Sequence, residues 1–349
     1  MLTGIDLVIE LPTIYSVSSA ENFASGAIKI LNSLKIVDHL SFGGEFEEIN
    51  KLNIIANVLS NEPKDYKNLL ASELSKGMSF PKARENALSL FLGDNTVSKI
   101  LSEPNNILAI EYLKALKKLK SKIEPVLIPR KNSGHLNTDY TGSITSSTSI
   151  RNMLKDGNTK NLKNALTPHS YTILKEEINN GHCNINFSVF EKTIIYKLRT
   201  MNLEDIKNLP DISEGLENSI KKASMYCNNL DDLIKMVKTK RYTQTRLTRI
   251  MLYCLLNITK KDMEISKKTE PYIRILGFNS KGKELLGKIK KNNPNVKLVT
   301  SVKKFLDENN NKNFRTMMQK DIFATDIYTI GYVKDSYGNL DFTKNIIKR

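Results

Sequence analysis

The sequence predicts an α/β fold, with a Rossmann-like parallel sheet in the N-terminal part and a mainly helical C-terminal part carrying a small α/β element. Three observations predict it. Short apolar runs closed by Pro or Gly alternate with helical-period segments over the first 150 residues. Beyond residue 151 the pattern turns almost wholly helical. At 349 residues the chain is also long enough for two domains, each with its own core. A division into residues 1–165 and 166–349 is expected.

The elements follow in order. Ile5-Asp6-Leu7-Val8-Ile9-Glu10-Leu11 ends at Pro12 and has the form of a buried strand. Ser18-x-x-Glu21 reads as a capping box, followed by Phe23, Ala24, Ala27, Ile28, Leu31 and Leu34 at helical spacing. A second strand covers 36–42 and stops at Gly43-Gly44. Helical patterns occupy 47–59, 66–75, 81–90 and 106–119, and a third strand covers 123–128 ahead of Pro129-Arg130-Lys131. Strands interleaved with helices imply parallel pairing, with ligands at the carboxyl ends of the strands. Helices are then expected over 171–178, 187–200, 214–225, 231–238 and 244–256. They are followed by a strand at 272–276, the loop Gly277-Phe278-Asn279-Ser280-Lys281-Gly282 and a helix from Lys283.

Charge divides the chain. Residues 1–150 carry 16 basic and 16 acidic side chains, so the whole net charge of +16 falls in 151–349. A polyanion, most simply nucleic acid, is the partner such asymmetry implies, against the alternative of a lysine-rich solvated surface. Arg241, Arg246 and Arg249, interleaved with Tyr242, are the candidate RNA contacts; Arg246 and Arg249 lie three apart and share a helix face. No apolar run approaches the ~20 residues of a membrane span. The opening residues lack a basic segment followed by an apolar stretch, so no signal peptide is expected. Three scattered cysteines (Cys183, Cys227, Cys254) argue against a disulfide framework and for a cytoplasmic protein. With no C-x-x-C pair, no protein-bound metal site is expected.

The segment richest in chemistry is Gly142-Ser143-Ile144-Thr145-Ser146-Ser147-Thr148-Ser149-Ile150-Arg151, which runs into a predicted helix. A helix start leaves about four N–H groups unpaired and carries roughly half a positive charge. Hydroxyls beside those amides, with an arginine in the first turn, make a phosphate pocket; an ordinary Ser/Thr N-cap is the alternative.

The string resembles the I-S-S-T-x-I-R signature of HIGH-type nucleotidyltransferases, and further blocks narrow the resemblance. Gly4–Pro12, Phe42-Gly43-Gly44-Glu45, Ser79–Arg84, Pro104-Asn105-Asn106-Ile107-Leu108 with Ala109–Leu113, and Pro129-Arg130-Lys131 come first. Ser213–Asn218, Arg241-Tyr242-Thr243-Gln244-Thr245-Arg246-Leu247 and Leu276-Gly277-Phe278-Asn279 follow. Together, in order and over essentially the whole chain, they resemble the bacterial tRNA(Met) cytidine acetate ligases. The resemblance implies that acetate is adenylated by ATP, which is consumed as a substrate together with Mg2+, and that acetyl then passes to the exocyclic amine of the wobble cytidine in elongator tRNA(Met). It implies ATP contacts at Gly43, Asn105, Asn106, Arg130, Lys131, Ser147, Thr148 and Arg151, with Arg151 also stabilising charge in the transition state. It places tRNA contacts at Arg241, Arg246 and Arg249.

One departure accompanies the match. The family's H-x-G-H precedes the Gly-x-Asp-Leu-Val-Ile-Glu-Leu-Pro block, which here starts at residue 4, and none of His39, His135, His169 and His182 lies in such a motif. The expectation is a nucleotidyltransferase sheet without its first strand and H-x-G-H loop, and impaired catalysis by the chain as written. Two other functions fit parts of the pattern: a nucleotidyltransferase making a dinucleotide cofactor, which gives the basic half no task, and a catalytically silent RNA-binding protein.

Overall fold

The computed structural model describes residues 2–130, 145–157, 161–183, 186–335 and 337–349. The chain opens with β1 (Leu7–Ile9) and one turn of helix, α1 (Thr13–Ser16), entered through Pro12. Two compact units follow from the packing. One is Ser19–Asn152 with Lys291–Pro294; the other gathers Met1–Ser18, Met153–Lys290 and Asn295–Arg349.

In the Ser19–Asn152 unit, α2 (Ala20–Leu34) leads into β2 (His39–Gly44). The helices α3 (Ile49–Asn61), α4 (Lys64–Ser75), α5 (Phe80–Leu92), α6 (Thr96–Ser102) and α7 (Pro104–Lys118) come next, then β3 (Glu124–Pro129) and α8 (Ser147–Lys155). Proline within the first turn of α5 and α7 fixes the start of each, where a missing N–H costs nothing. β2 and β3 pair in parallel from His39↔Glu124 to Gly44↔Pro129, as the alternation predicts. Leu52, Ile55, Tyr66, Leu88, Ile100, Ile110 and Leu113 fill the core, with Phe42 and Leu127 packed on it from the two strands. The capping box expected at Ser18 does not form. Ser19 is the N-cap residue of α2, without a side-chain bond, and Ser18 Oγ instead donates to Ile14 O at 2.6 Å.

The other unit is helical as expected: α9 (Leu162–Ala165), α10 (Pro168–Asn179), a 3₁₀ turn (Phe187–Phe190), α11 (Glu191–Thr200), α12 (Leu203–Lys207), α13 (Leu216–Tyr226), α14 (Leu230–Val237), α15 (Gln244–Leu255) and α16 (Lys260–Lys268). Asn202, Asn229, Thr243 and Thr259 cap their helices by accepting from the N–H three residues on, and Thr259 forms a full capping box with Asp262. The chain then runs through β4 (Tyr272–Phe278), α17 (Ser280–Asn292), β5 (Lys297–Val299), α18 (Val302–Glu308), α19 (Lys312–Thr329), α20 (Leu340–Thr343) and β6 (Ile347–Lys348).

The sheet in this unit corrects one expectation. The Ile5–Leu11 run does not join β2 and β3; β1 pairs antiparallel with β4, while β5 and β6 pair with β4 in parallel. Hydrogen bonds at both ends of the run hold this pairing. Asn279 N donates to Asp6 O at 3.1 Å and Asn279 Nδ2 to Asp6 Oδ1 at 2.7 Å, while Glu10 N donates to Arg274 O at 2.9 Å. A Cβ at Gly282 would stand 2.0 Å from Asp6 O, so only glycine admits this approach. The apolar run specified a strand but not its partner; its flanking polar residues specified that.

Candidate active site

The site is built at the carboxyl ends of β2 and β3. Arg130, first residue past β3, donates its N–H to Gly44 O at 3.0 Å and so prolongs the parallel ladder. The Arg130 stem lies over Gly43, where a Cβ would meet Arg130 Cγ at 3.7 Å. At Gly44 a Cβ would stand 2.9 Å from Leu127 Cδ1 and 3.2 Å from Asn106 Oδ1. The second glycine is therefore closely packed by two side chains, and the first borders the arginine.

Asn106 is 1% exposed, and both polar atoms of its amide are bonded. Its Oδ1 accepts from Glu45 N at 2.9 Å and Phe46 N at 3.0 Å, and its Nδ2 donates to Ile100 O at 3.2 Å. Glu45 answers from the loop: its carboxylate accepts from Asn106 N at 3.1 Å and from Asn105 Nδ2. The structure thus brings Gly43, Asn105, Asn106 and Arg130 together, with Asn106 holding the loop after β2 in place. Glu45 is the residue that sequence reasoning did not single out. Its position directly after Gly43-Gly44, at a strand end, was the available signal.

The hydroxyl-rich segment forms the second element of the same unit. Ser146 is buried and caps α8, its Oγ accepting from Ser149 N at 3.0 Å. Thr148 Oγ1 accepts from Arg151 Nη2 at 3.3 Å, so the partner of this exposed guanidinium is neutral. The first turn of α8 holds no acidic residue. A cation one turn inside a positive helix start is electrostatically unfavourable until an anion arrives. Among the described residues, Thr145 Oγ1 and Ser149 Oγ are buried without a hydrogen-bond partner. Ser147 is exposed at the helix start. Lys131 and Ser143 lie outside the described residues.

The three arginines picked for RNA contact are engaged within the protein. Arg241 pairs with Glu214 at the surface. Arg246 donates from Nε to Asp211 O at 3.0 Å and from Nη2 to Ser213 Oγ at 3.0 Å, with its guanidinium 5.0 Å from the Tyr242 ring centre. Arg249 donates from Nε and Nη2 to Asp211 Oδ2 at 3.1 and 3.0 Å. Asp211, Glu214 and Gly215 all have positive φ, and the arginines clamp this turn ahead of α13.

The sequence and fold have relatives. A family model described as HIGH Nucleotidyl Transferase matches residues 1–341. The tRNA(Met) cytidine acetate ligase of Thermoanaerobacter sp. (strain X514) is 44% identical over 347 residues, covering 99% of this chain and 84% of the relative. The tRNA(Met) cytidine acetate ligase of Acetivibrio thermocellus is 40% identical over 353 residues, covering 99% and 85%.

This chain belongs to the tRNA(Met) cytidine acetate ligase family of HIGH nucleotidyltransferases.

By family it is an enzyme, and its fold agrees with that of solved members. The crystal structure of apo Thermotoga maritima TmcAL superposes with a TM-score of 0.93 at 30% identity, covering 99% of this chain and 85% of that one. A second crystal form of that protein, bound with alpha-thio ATP, gives a TM-score of 0.90 at 30% identity. Among the described residues, no helix is long and apolar enough to cross a membrane.

Proposed function

We propose that this chain acts in ATP-dependent formation of N4-acetylcytidine at the wobble position of elongator tRNA(Met), with acetate activated as acetyl-adenylate. The observation that carries the reading is the α8 start, where capped amides and an Arg151 with no carboxylate partner among the described residues await an anion. ATP phosphates, accompanied by Mg2+, are the anion proposed. The solved relative bound with alpha-thio ATP and the names of the closely matching relatives support it.

The roles divide by chemistry. Gly43 and Arg130 border the nucleotide at the strand ends, with Lys131 next in sequence, and Asn105 reaches it from the first turn of α7, beside the loop after β2 that Asn106 holds. Ser147, Thr148 and Arg151 take the phosphates. When the acetate oxygen attacks the α-phosphorus, pyrophosphate leaves, and Arg151 with the helix amides opposes the charge that builds. The cytidine amine then attacks the acetyl carbonyl and AMP departs. Arg241, the most exposed of the three arginines and paired only at the surface, exchanges its carboxylate for a tRNA phosphate at little cost. Arg246 and Arg249 shape the turn beside it.

The 349 residues contain no H-x-G-H. Charge-stabilising donors are commonly worth ~3 kcal/mol each, so adenylation by these residues alone is expected at least ~10⁴-fold below that of a chain supplying two imidazoles. The test combines acetate-dependent pyrophosphate release with nucleoside mass spectrometry of tRNA(Met), on this chain and on one joined to an H-x-G-H segment. Acetylcytidine in the joined chain supports the reading. Pyrophosphate release that ignores acetate but responds to a mononucleotide would replace it with dinucleotide synthesis.

A further inference from the structure

We propose that the seam between α11 and the C-terminal end of α13 is a stacking platform for unpaired RNA bases, which locates an RNA contact away from the three clamped arginines and rests on the tRNA reading above. Two aromatic side chains there are conspicuously exposed: Tyr196 at 67% and Tyr226 at 75%, beside Met225 at 57%. The inner face of α11 is spent on the core through Ile194, Ile195 and Leu198. Lys192, Tyr196 and Arg199 stand at i, i+4 and i+7 on the outer face.

Hydrogen bonds fix what that face adjoins. Lys192 Nζ donates to Asn228 O at 2.7 Å, and Arg199 donates from Nε to Ser224 O at 2.7 Å and from Nη2 to Cys227 O at 3.1 Å. Tyr196 lies between these two anchors and therefore stands alongside residues 224–228, which include Met225 and Tyr226. The two rings belong to one surface.

Its cations are bonded to neutral acceptors. Lys192 and Arg199 bond main-chain carbonyls, and Lys221 Nζ donates to Leu198 O, Arg199 O and Met201 O at 3.1, 2.7 and 2.7 Å. Main-chain carbonyls position these groups without neutralising them, so each keeps its full charge for a polyanion. Of the acids nearby, Glu191 accepts from Leu230 N at 2.9 Å and Asp232 pairs with Lys235 at 3.8 Å. Exposed aromatic rings set among held cations are the means by which proteins bind single-stranded nucleic acid: the rings stack bases and the cations follow the backbone.

The chain contains no tryptophan, so Tyr196→Trp places a sole reporter on the seam. Titration with a single-stranded oligoribonucleotide and with elongator tRNA(Met) is expected to quench it to saturation. The Tyr196→Ala/Tyr226→Ala variant, with an unchanged melting temperature, is expected to bind both RNAs about five- to a hundredfold more weakly, and Tyr196→Phe/Tyr226→Phe to restore binding. Lys192→Gln should lower the salt slope of binding by about one. An unquenched reporter at saturating RNA, or undiminished affinity in the double alanine variant, overturns the platform while tRNA acetylation by the parent keeps the functional reading. A self-associated parent that becomes monomeric in the double alanine variant, with RNA affinity retained, makes the seam a contact between copies instead. If the parent binds no RNA, platform and tRNA reading fall together, and acetate-dependent pyrophosphate release remains as the separate measure of the first chemical step.

Discussion

At the scale of single residues, the candidate site separates side chains that meet a ligand from those that hold the ligand's neighbours. Arg151 belongs to the first group, since among the described residues its partner is the neutral Thr148 hydroxyl. Arg151→Ala is expected to cost at least ~1.5 kcal/mol of ATP interaction, the scale of a charged hydrogen bond, with adenylate formation falling alongside. Isothermal titration with ATP checks the first part, and unchanged affinity would remove α8 from the site. Asn106 belongs to the second group. Asn106→Ala strands Glu45 N, Phe46 N and Ile100 O, and about 2–3 kcal/mol of stability should go with them, read as a drop in the urea midpoint. The sequence advertised Asn105 and Asn106 as equivalent neighbours. Burial made them different: Asn106 is buried and bonds main-chain groups, whereas Asn105 is half-buried and bonds the Glu45 carboxylate.

At the scale of elements, the antiparallel clasp between β1 and β4 explains two sequence blocks that share no local pattern. Gly282→Ala drives a methyl against Asp6 O, and about 2–3 kcal/mol of destabilisation is expected, as for an overpacked core; a thermal midpoint within experimental error of the parent would refute the close approach. The clasp also carries a buried charge cluster. Arg274 Nε lies 3.0 Å from Glu10 Oε2 without the alignment of a hydrogen bond, and Arg274 Nη2 donates to Asp341. Burial, together with the nearby Asp321 carboxyl, pushes Glu10 up to about 7, partly opposed by Arg274. The same burial raises Asp321, which accepts from Thr13 N at 2.7 Å and from the Tyr272 hydroxyl.

The sign of the pH effect follows from proton binding. Between the ordinary Glu value of 4.5 and about 7 the folded chain holds more protons at Glu10 than the unfolded chain. This group's contribution is therefore fully present below 4.5 and lost as pH rises through about 7, a change of order 3 kcal/mol. Denaturant midpoints of the parent and Glu10→Gln, compared at pH 5.5 and pH 8, isolate it from the repulsion of a chain with net charge +16. The glutamine variant should gain relative to the parent as pH rises, and a constant difference between the two would count against a raised Glu10.

At the scale of the whole molecule, charge distribution and binding surface are different properties. The excess of +16 was readable by counting, but the count could not say which cations are neutralised. Arg249 shows the limit. It sits on the basic face of α15, yet both its donors reach Asp211 in a positive-φ turn. Arg249→Ala should lower the melting temperature by several degrees, as about 1–2 kcal/mol of charged hydrogen bonding is lost, and Arg241→Ala should instead leave it unchanged while reducing the salt slope of tRNA binding by about one. Equal salt slopes in parent and Arg241→Ala would leave Arg241 as a surface ion pair alone.

The sequence by itself determined the α/β class, the helical C-terminal part, the parallel pairing implied for β2 and β3, and the family, because periodicity and ordered motif blocks are local and survive without coordinates. It did not determine where β1 pairs, which asparagine is buried, or which arginines retain an unneutralised charge. Those depend on partners far away in the chain: Asp6 with Asn279, Asn106 with Glu45, Arg249 with Asp211. A strand's apolar alternation is satisfied by any sheet edge, and a cation's by any acceptor, until tertiary packing brings one particular partner within hydrogen-bond distance and excludes water from the rest.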